Sequence, residues 1–302
     1  MPECIFHLLR ADQKIRNVLI AERVSWEIEG NTHVLSLSFP QAQKIAGSSL
    51  AVSHSECHIV NENDKKKFLK EIVSAIHDLH KRNIAHRDIK PENIMYYQNS
   101  YVLIDFGLAH LDTTMREEGH FTTPWYRSPE LLQNNYLFPC PGDIWAAAIS
   151  YLHLFYNISL WKYDQAAEQW RGKNKLEDFQ SMVIMASLSI FLDKLLLPIS
   201  LDEAKALHRC TLETGRDPRN RYENRCKVQR IVNTIIGTPE NTGADFSAEY
   251  IKNRLLTFFG TDKQPSQMSE KEAELLAGMM GFWPEDRFTA SEILEHSFLD
   301  GI

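Results

Sequence analysis

The 302-residue chain predicts an α+β fold, with a small strand-bearing lobe followed by a larger, mainly helical one. Two β-like runs, residues 18–28 and 33–39, flank the turn signal Glu29-Gly30-Asn31. A long amphipathic pattern follows, in which Phe68, Leu69, Ile72, Val73, Ile76 and Leu79 share one helical face. From Asp143 onward helical periodicity dominates, and strands first with helices afterwards is the order of an α+β chain.

Residues 3–10 read as a short opening helix. Pro40 ends the second β-like run because it brings no N–H to a ladder. Asn63-Asp64 is the expected cap of the amphipathic helix. Two short strand-like pieces, residues 93–97 and 101–104, surround the polar turn Gln98-Asn99-Ser100. The most apolar stretch, residues 182–199, is interrupted by Ser187, Ser189, Asp193 and Lys194, which makes it a buried helix rather than a membrane span. There are no internal repeats or low-complexity tracts.

A formal net charge of −7 argues against a non-specific nucleic-acid binder, which carries a basic stripe. Five cysteines without CxxC spacing read as reduced thiols, neither a disulfide frame nor a zinc site. The N-terminal residues lack the basic-then-apolar layout of a signal peptide. The expectation is an intracellular protein, in the nucleus or cytoplasm, with no membrane and no nucleic-acid partner.

The segment His86-Arg87-Asp88-Ile89-Lys90-Pro91-Glu92-Asn93 is followed, after a short hairpin, by Asp105-Phe106-Gly107. In these two ordered motifs the chain resembles the eukaryotic Ser/Thr protein kinases. The resemblance implies a protein-kinase-like fold, ATP and Mg²⁺ as cofactors, and Ser/Thr side chains of a protein substrate as acceptors. Phosphoryl transfer needs positioned charge around an in-line displacement more than covalent help. Asp88 would accept the substrate hydroxyl proton. Asn93 and Asp105 would offer oxygen ligands to Mg²⁺. Lys90 would face the γ-phosphate, and Lys90, Asn93, Asp105 and Met95 would make the cofactor contacts. Thr123 would help hold Asp88 and Lys90, while His86 and Phe106 would be packing residues.

Downstream, Pro124-Trp125-Tyr126-Arg127-Ser128-Pro129-Glu130 resembles the end of an activation segment, with Ser128 at the usual Ala. Its spelling is similar to that of cyclin-dependent kinases, as is Gly237-Thr238-Pro239-Glu240. The resemblance implies Pro-directed substrates and a cyclin-like regulatory subunit. Asp143 would hold the catalytic-loop backbone, and Arg287 would pair with Glu130. In the same register the activating phosphothreonine falls on Glu118, so Glu118 is expected as a built-in carboxylate partner for Arg87. A solvated acidic pair, Glu117 and Glu118, is the other reading, with Thr122, Thr113 and Thr114 as other phosphosites.

The first sixty residues contain no GxGxxG and no Val-Ala-Ile-Lys strand. Residues 1–40 are therefore expected as a remnant of the small lobe, its two β-like runs being the fourth and fifth strands. Residues 41–302 would form the large lobe with an insertion at about 161–225, whose charged stretch 216–225 reads as a solvated loop. A truncated pseudokinase, binding partners without turnover, stands as the alternative function.

Overall fold

Nineteen residues after Asn61 form helix α1 (Glu62–His80), which packs against several elements that follow it in the chain. The computed structural model describes residues 15–19, 21–29, 32–44, 61–111, 126–128, 130, 139–156, 247–259 and 267–302. Helix α1 starts before the expected Asn63-Asp64, because Asn61 is extended and its side chain accepts the Asp64 N–H at 2.9 Å. Glu62 and Asp64 then fall in the first turn, where carboxylates favour the helix dipole. All six predicted core-face residues are fully buried. The Phe68 ring meets Tyr101 and Phe155 edge-on, with centroids 5.2 and 5.3 Å away.

Strand β1 (Arg23–Glu29) pairs antiparallel with β2 (Thr32–Ser38), from Arg23 opposite Ser38 to Glu29 opposite Thr32. The first strand thus begins five residues later than the sequence pattern suggested. Residues 17–19 are diverted: Asn17 adopts φ 52°, and Val18 forms a parallel bridge to Leu103. After Pro40 the short β3 (Gln43–Lys44) leaves the hairpin and joins a second sheet. A separate pair, β4 (Ile84–Ala85) with β7 (His110–Leu111), brackets the stretch that contains both sequence motifs. In the second sheet β5 (Ile94–Tyr97) is central, with β3 on one side and β6 (Ser100–Leu103) on the other, both antiparallel to it. Gln98 and Asn99 both take positive φ, 46° and 63°. This is the two-residue turn whose twist suits antiparallel strands.

Helix α2 (Pro139–Tyr156) starts before Asp143, at Pro139, a residue whose missing N–H costs nothing in a first turn. Trp145 and Tyr151 on α2 are among the largest fully buried side chains. Among the described residues three further helices follow, α3 (Ala248–Phe259), α4 (Glu270–Met279) and α5 (Ala290–Leu294). Ser269 with Glu272, and Thr289 with Glu292, form reciprocal capping boxes that start α4 and α5. Gly278 lets the Phe288 ring cross α4, since a Cβ there would stand 2.2 Å from Phe288 Cε2.

One polar cluster lies inside this apolar packing. Lys65 Nζ donates to Tyr156 Oη at 2.7 Å and lies 3.4 Å from Glu272 Oε1. Tyr151 and Tyr156 hydroxyls both donate to that same Oε1 at 2.5 Å. Burial pulls the Lys65 ammonium below its ordinary pKa, and Glu272 opposes the shift. The cluster joins α1, α2 and α4.

The expected opening helix at 3–10, the apolar stretch 182–199 and the insertion 161–225 lie outside the described residues. Among the described residues, no helix is long and apolar enough to cross a membrane.

Candidate active site

Asp143, 1% exposed, organises the loop that follows β4. Its Oδ2 accepts the His86 N–H and its Oδ1 the Arg87 N–H, both at 2.8 Å. The expected tie between Asp143 and the catalytic-loop backbone is therefore present. It supports a strained conformation, since Arg87 takes φ 67°. A non-glycine residue in the left-handed region costs about 1–2 kcal/mol. Motif spacing alone did not reveal His80, whose Nε2 donates to Asp143 Oδ2 at 3.0 Å. His80 lies on the last turn of α1 and Asp143 on α2, so only the packed helices bring them together.

Beyond Arg87 the backbone turns through Asp88 and a 3₁₀ turn, Pro91–Asn93. Lys90 Nζ donates to Asp88 Oδ2 at 2.7 Å. Asn93 Nδ2 donates to both the Asp88 backbone oxygen and Asp88 Oδ2, each at 2.9 Å. An amide nitrogen has two hydrogens, and both are directed to Asp88. The Asn93 amide is thereby oriented, with its oxygen left as an acceptor.

Asp105 is brought to the same place by the hairpin. Ile94 lies opposite Leu103, and one step further the Ile104 N–H bonds the Asn93 carbonyl at 3.0 Å. Asp105 takes φ 63°, is exposed, and its Oδ1 accepts the Gly107 N–H at 3.2 Å, an Asx-type turn. Met95 is half-buried mid-strand on β5, opposite Val102 and Lys44. The structure thus brings Asp88, Lys90, Asn93 and Asp105 to one end of the β5–β6 hairpin. Thr123 and Glu118 lie outside the described residues. Arg87 Nε donates to Leu108 O at 2.6 Å.

His86 and Phe106 pack as expected, fully buried with centroids 4.8 Å apart. His86 Nε2 donates to the Ile104 carbonyl at 3.0 Å, and its Nδ1 accepts the Asp88 N–H at 3.3 Å. That pattern requires neutral imidazole, and burial holds its pKa below the ordinary value. His153 shifts the same way, also through burial. Both histidines bind protons more readily unfolded than folded. Their contribution to stability is therefore full above the unfolded pKa of about 6.5 and is lost as pH falls below it. The urea midpoint is expected to fall between about pH 7.5 and about pH 5.5. A flat profile across that interval would contradict neutral burial of these rings.

Further along, Glu130 is held by Arg287 through two short bonds, 2.6 Å to Oε1 and 2.5 Å to Oε2. Ser128, the departure from the usual Ala, donates its hydroxyl to Glu130 Oε1 at 2.6 Å. Tyr126 shares a 2.9 Å hydrogen bond with His153 Nδ1 on α2, a contact that no sequence pattern signalled. Tyr126 and Glu130 are thus each fastened to a distant part of the chain, at His153 and Arg287.

The sequence pattern described as Protein kinase domain matches residues 42–299. The chain belongs to the protein kinase domain family. The chain is 39% identical over 106 residues to Cyclin-dependent kinase-like 1 of Caenorhabditis elegans, covering 34% of this chain and 30% of that protein. A meiosis induction protein kinase of Saccharomyces cerevisiae is 33% identical over 114 residues, 32% of this chain and 18% of its own length. Calcium-dependent protein kinase 3 of Plasmodium yoelii yoelii is 41% identical over 98 residues, 30% and 17% respectively. The chain therefore spans less than a third of the length of each of these relatives. Protein kinase domains use ATP and divalent metal in general, and the kinase-like α+β fold expected from the motifs is the fold of this chain.

Proposed function

We propose that the chain is a protein serine/threonine kinase of the cyclin-dependent-kinase-like group, transferring the γ-phosphate of Mg-ATP to a hydroxyl of a protein substrate. The observation that carries this reading is the double donation from Asn93 to Asp88, beside a hairpin that ends at Asp105. It supports Asp88 as a base with two oxygen donors, Asn93 and Asp105, beside it.

The donor set fits a divalent cation. Asn93 offers an amide oxygen, and Asp105 is an exposed carboxylate with one modest 3.2 Å hydrogen bond to its own turn. Hard oxygen ligands of this kind suit Mg²⁺, which takes few ligands from protein and several from phosphates and water. When bound, the ion would neutralise charge on the phosphate oxygens. Asp88, held in one orientation by Lys90 and Asn93, would accept the proton of the attacking hydroxyl. Lys90 would offset charge growing on the transferred group. Met95 would contact the nucleotide. The same reading keeps Thr123 as a support for Asp88 and Lys90, Glu118 as the carboxylate partner of Arg87, and a cyclin-like subunit as partner. It also keeps residues 1–40 and 41–302 as the two lobes.

Calorimetric titration with ATP, with and without Mg²⁺, tests the reading. Expected are Mg²⁺-dependent binding by the parent chain and its loss in Asp105→Asn. Absence of binding by both proteins would favour a partner-binding domain without turnover. Equal binding by both would overturn the metal assignment.

A further inference from the structure

We propose that residues 15–19 form a strap, closed by the Arg16–Asp78 ion pair, that fixes the position of the strand leading to Asp105. Three donor contacts converge on the Asp78 carboxylate from Arg16 alone. The Arg16 backbone N–H and Nε reach Oδ2 at 3.0 and 2.9 Å, and a terminal guanidinium nitrogen reaches Oδ1 at 2.7 Å. That nitrogen also lies 3.2 Å from His77 Nδ1, which is itself 3.2 Å from Asp78 Oδ1. A guanidinium that engages both oxygens of a carboxylate fixes direction as well as distance.

Next along the chain, Asn17 takes φ 52° and places its carbonyl on the Leu103 N–H at 2.9 Å. Its side-chain amide donates to Tyr101 O at 3.2 Å, and the Leu19 N–H donates to Leu103 O at 3.0 Å. Ile15, Val18 and Leu19 are buried between these polar contacts. Leu103 is therefore bonded through both its N–H and its C=O to the strap, while Ile104 is bonded to Asn93 on the other side. The strand that delivers Asp105 is gripped from two directions. One grip comes from the loop bearing Asn93, and the other depends on a surface ion pair to α1.

The two grips differ in what can loosen them. The β5–β6 ladder is internal to the large lobe. The Arg16 side chain is 53% exposed, so salt or a competing charge reaches the ion pair. Opening the strap would release Leu103 on one side and leave Asp88 and Asn93 where Asp143 and the 3₁₀ turn hold them. The strap is a device that adjusts Asp105 relative to Asp88.

Site-resolved amide hydrogen exchange on the full chain tests this without nucleotide, so its outcome is separate from that of the kinase reading. In Arg16→Gln and in Asp78→Asn, exchange at Leu19 and Leu103 is expected to quicken about tenfold or more, with α4 amides unchanged. The reversed pair, Arg16→Asp with Asp78→Arg, should recover part of the protection. Raising salt on the parent chain should move the same two amides in the same direction, which keeps the test alive if a variant folds poorly. Unaltered exchange at Leu103 in both single variants, or equal acceleration in α4, would overturn the proposal.

Discussion

The Asp88→Asn substitution is expected to preserve the fold and to lower the phosphoryl-transfer rate by about two to four orders of magnitude, the range assigned to a positioned general base. The fold should survive because an amide oxygen can still accept from Lys90 Nζ and Asn93 Nδ2, the two donors now 2.7 and 2.9 Å from Asp88 Oδ2. What the amide lacks is basicity. The substrate hydroxyl would then lose its proton to water or to the transferred group. Transfer of labelled γ-phosphate to a Ser/Thr peptide pool, read beside the thermal unfolding curve, separates the two effects. Undiminished transfer by the Asp88→Asn variant would remove Asp88 from the chemistry.

Arg287→Ala is expected to lower unfolding free energy by about 3–5 kcal/mol, as when one partner of a buried ion pair is removed. The Arg287 side chain is fully buried, and Glu130 is 5% exposed. All five guanidinium hydrogens have acceptors: Gly281 O, Phe282 O, Pro141 O and the two Glu130 oxygens. The guanidinium carbon also sits 5.2 Å from the Trp145 ring centroid. Truncation would leave a buried carboxylate with the Ser128 hydroxyl and would strand three carbonyls. Lysine should not rescue the site, because one ammonium has three hydrogens and no planar fork. Against a typical domain stability of about 5–15 kcal/mol the loss is large. Urea unfolding of the Arg287→Ala and Arg287→Lys variants measures it, and a shift under about 1 kcal/mol would show that Arg287 is not anchoring segment 126–130.

The parts of the site that were legible from spacing alone share one property: short-range order. His86 to Asn93 and Asp105 to Gly107 are linked by a hairpin of fixed length, so spacing along the chain translates directly into spacing in the fold. The apolar face of α1 was legible for a similar reason, since Phe68, Leu69, Ile72, Val73, Ile76 and Leu79 repeat with the helical period. Contacts between distant segments carry no such spacing, and the ties of Asp143 to the loop backbone and of Arg287 to Glu130 were expected only through the family resemblance. His80 reaches Asp143 across 63 positions, Arg16 reaches Asp78 across 62, and Tyr126 meets His153 from a separate segment. The late start of β1 has the same origin: Val18 and Leu19 belong to the β-like run, yet Val18 bridges to Leu103 and the Leu19 N–H bonds its carbonyl. Local preference identified extended backbone but not its partner.

The cluster of Lys65, Tyr151, Tyr156 and Glu272 has a consequence for how three helices choose their alignment. Apolar faces tolerate sliding, because one methyl group substitutes for another at little cost. A slip of α1 by about one turn would keep its apolar face on the core but carry Lys65 about 5 Å along the axis and leave a carboxylate in the interior without its cation. Neighbouring registers that would pack nearly as well are thereby excluded, and the polar centre acts as an index mark for the assembly of the lobe.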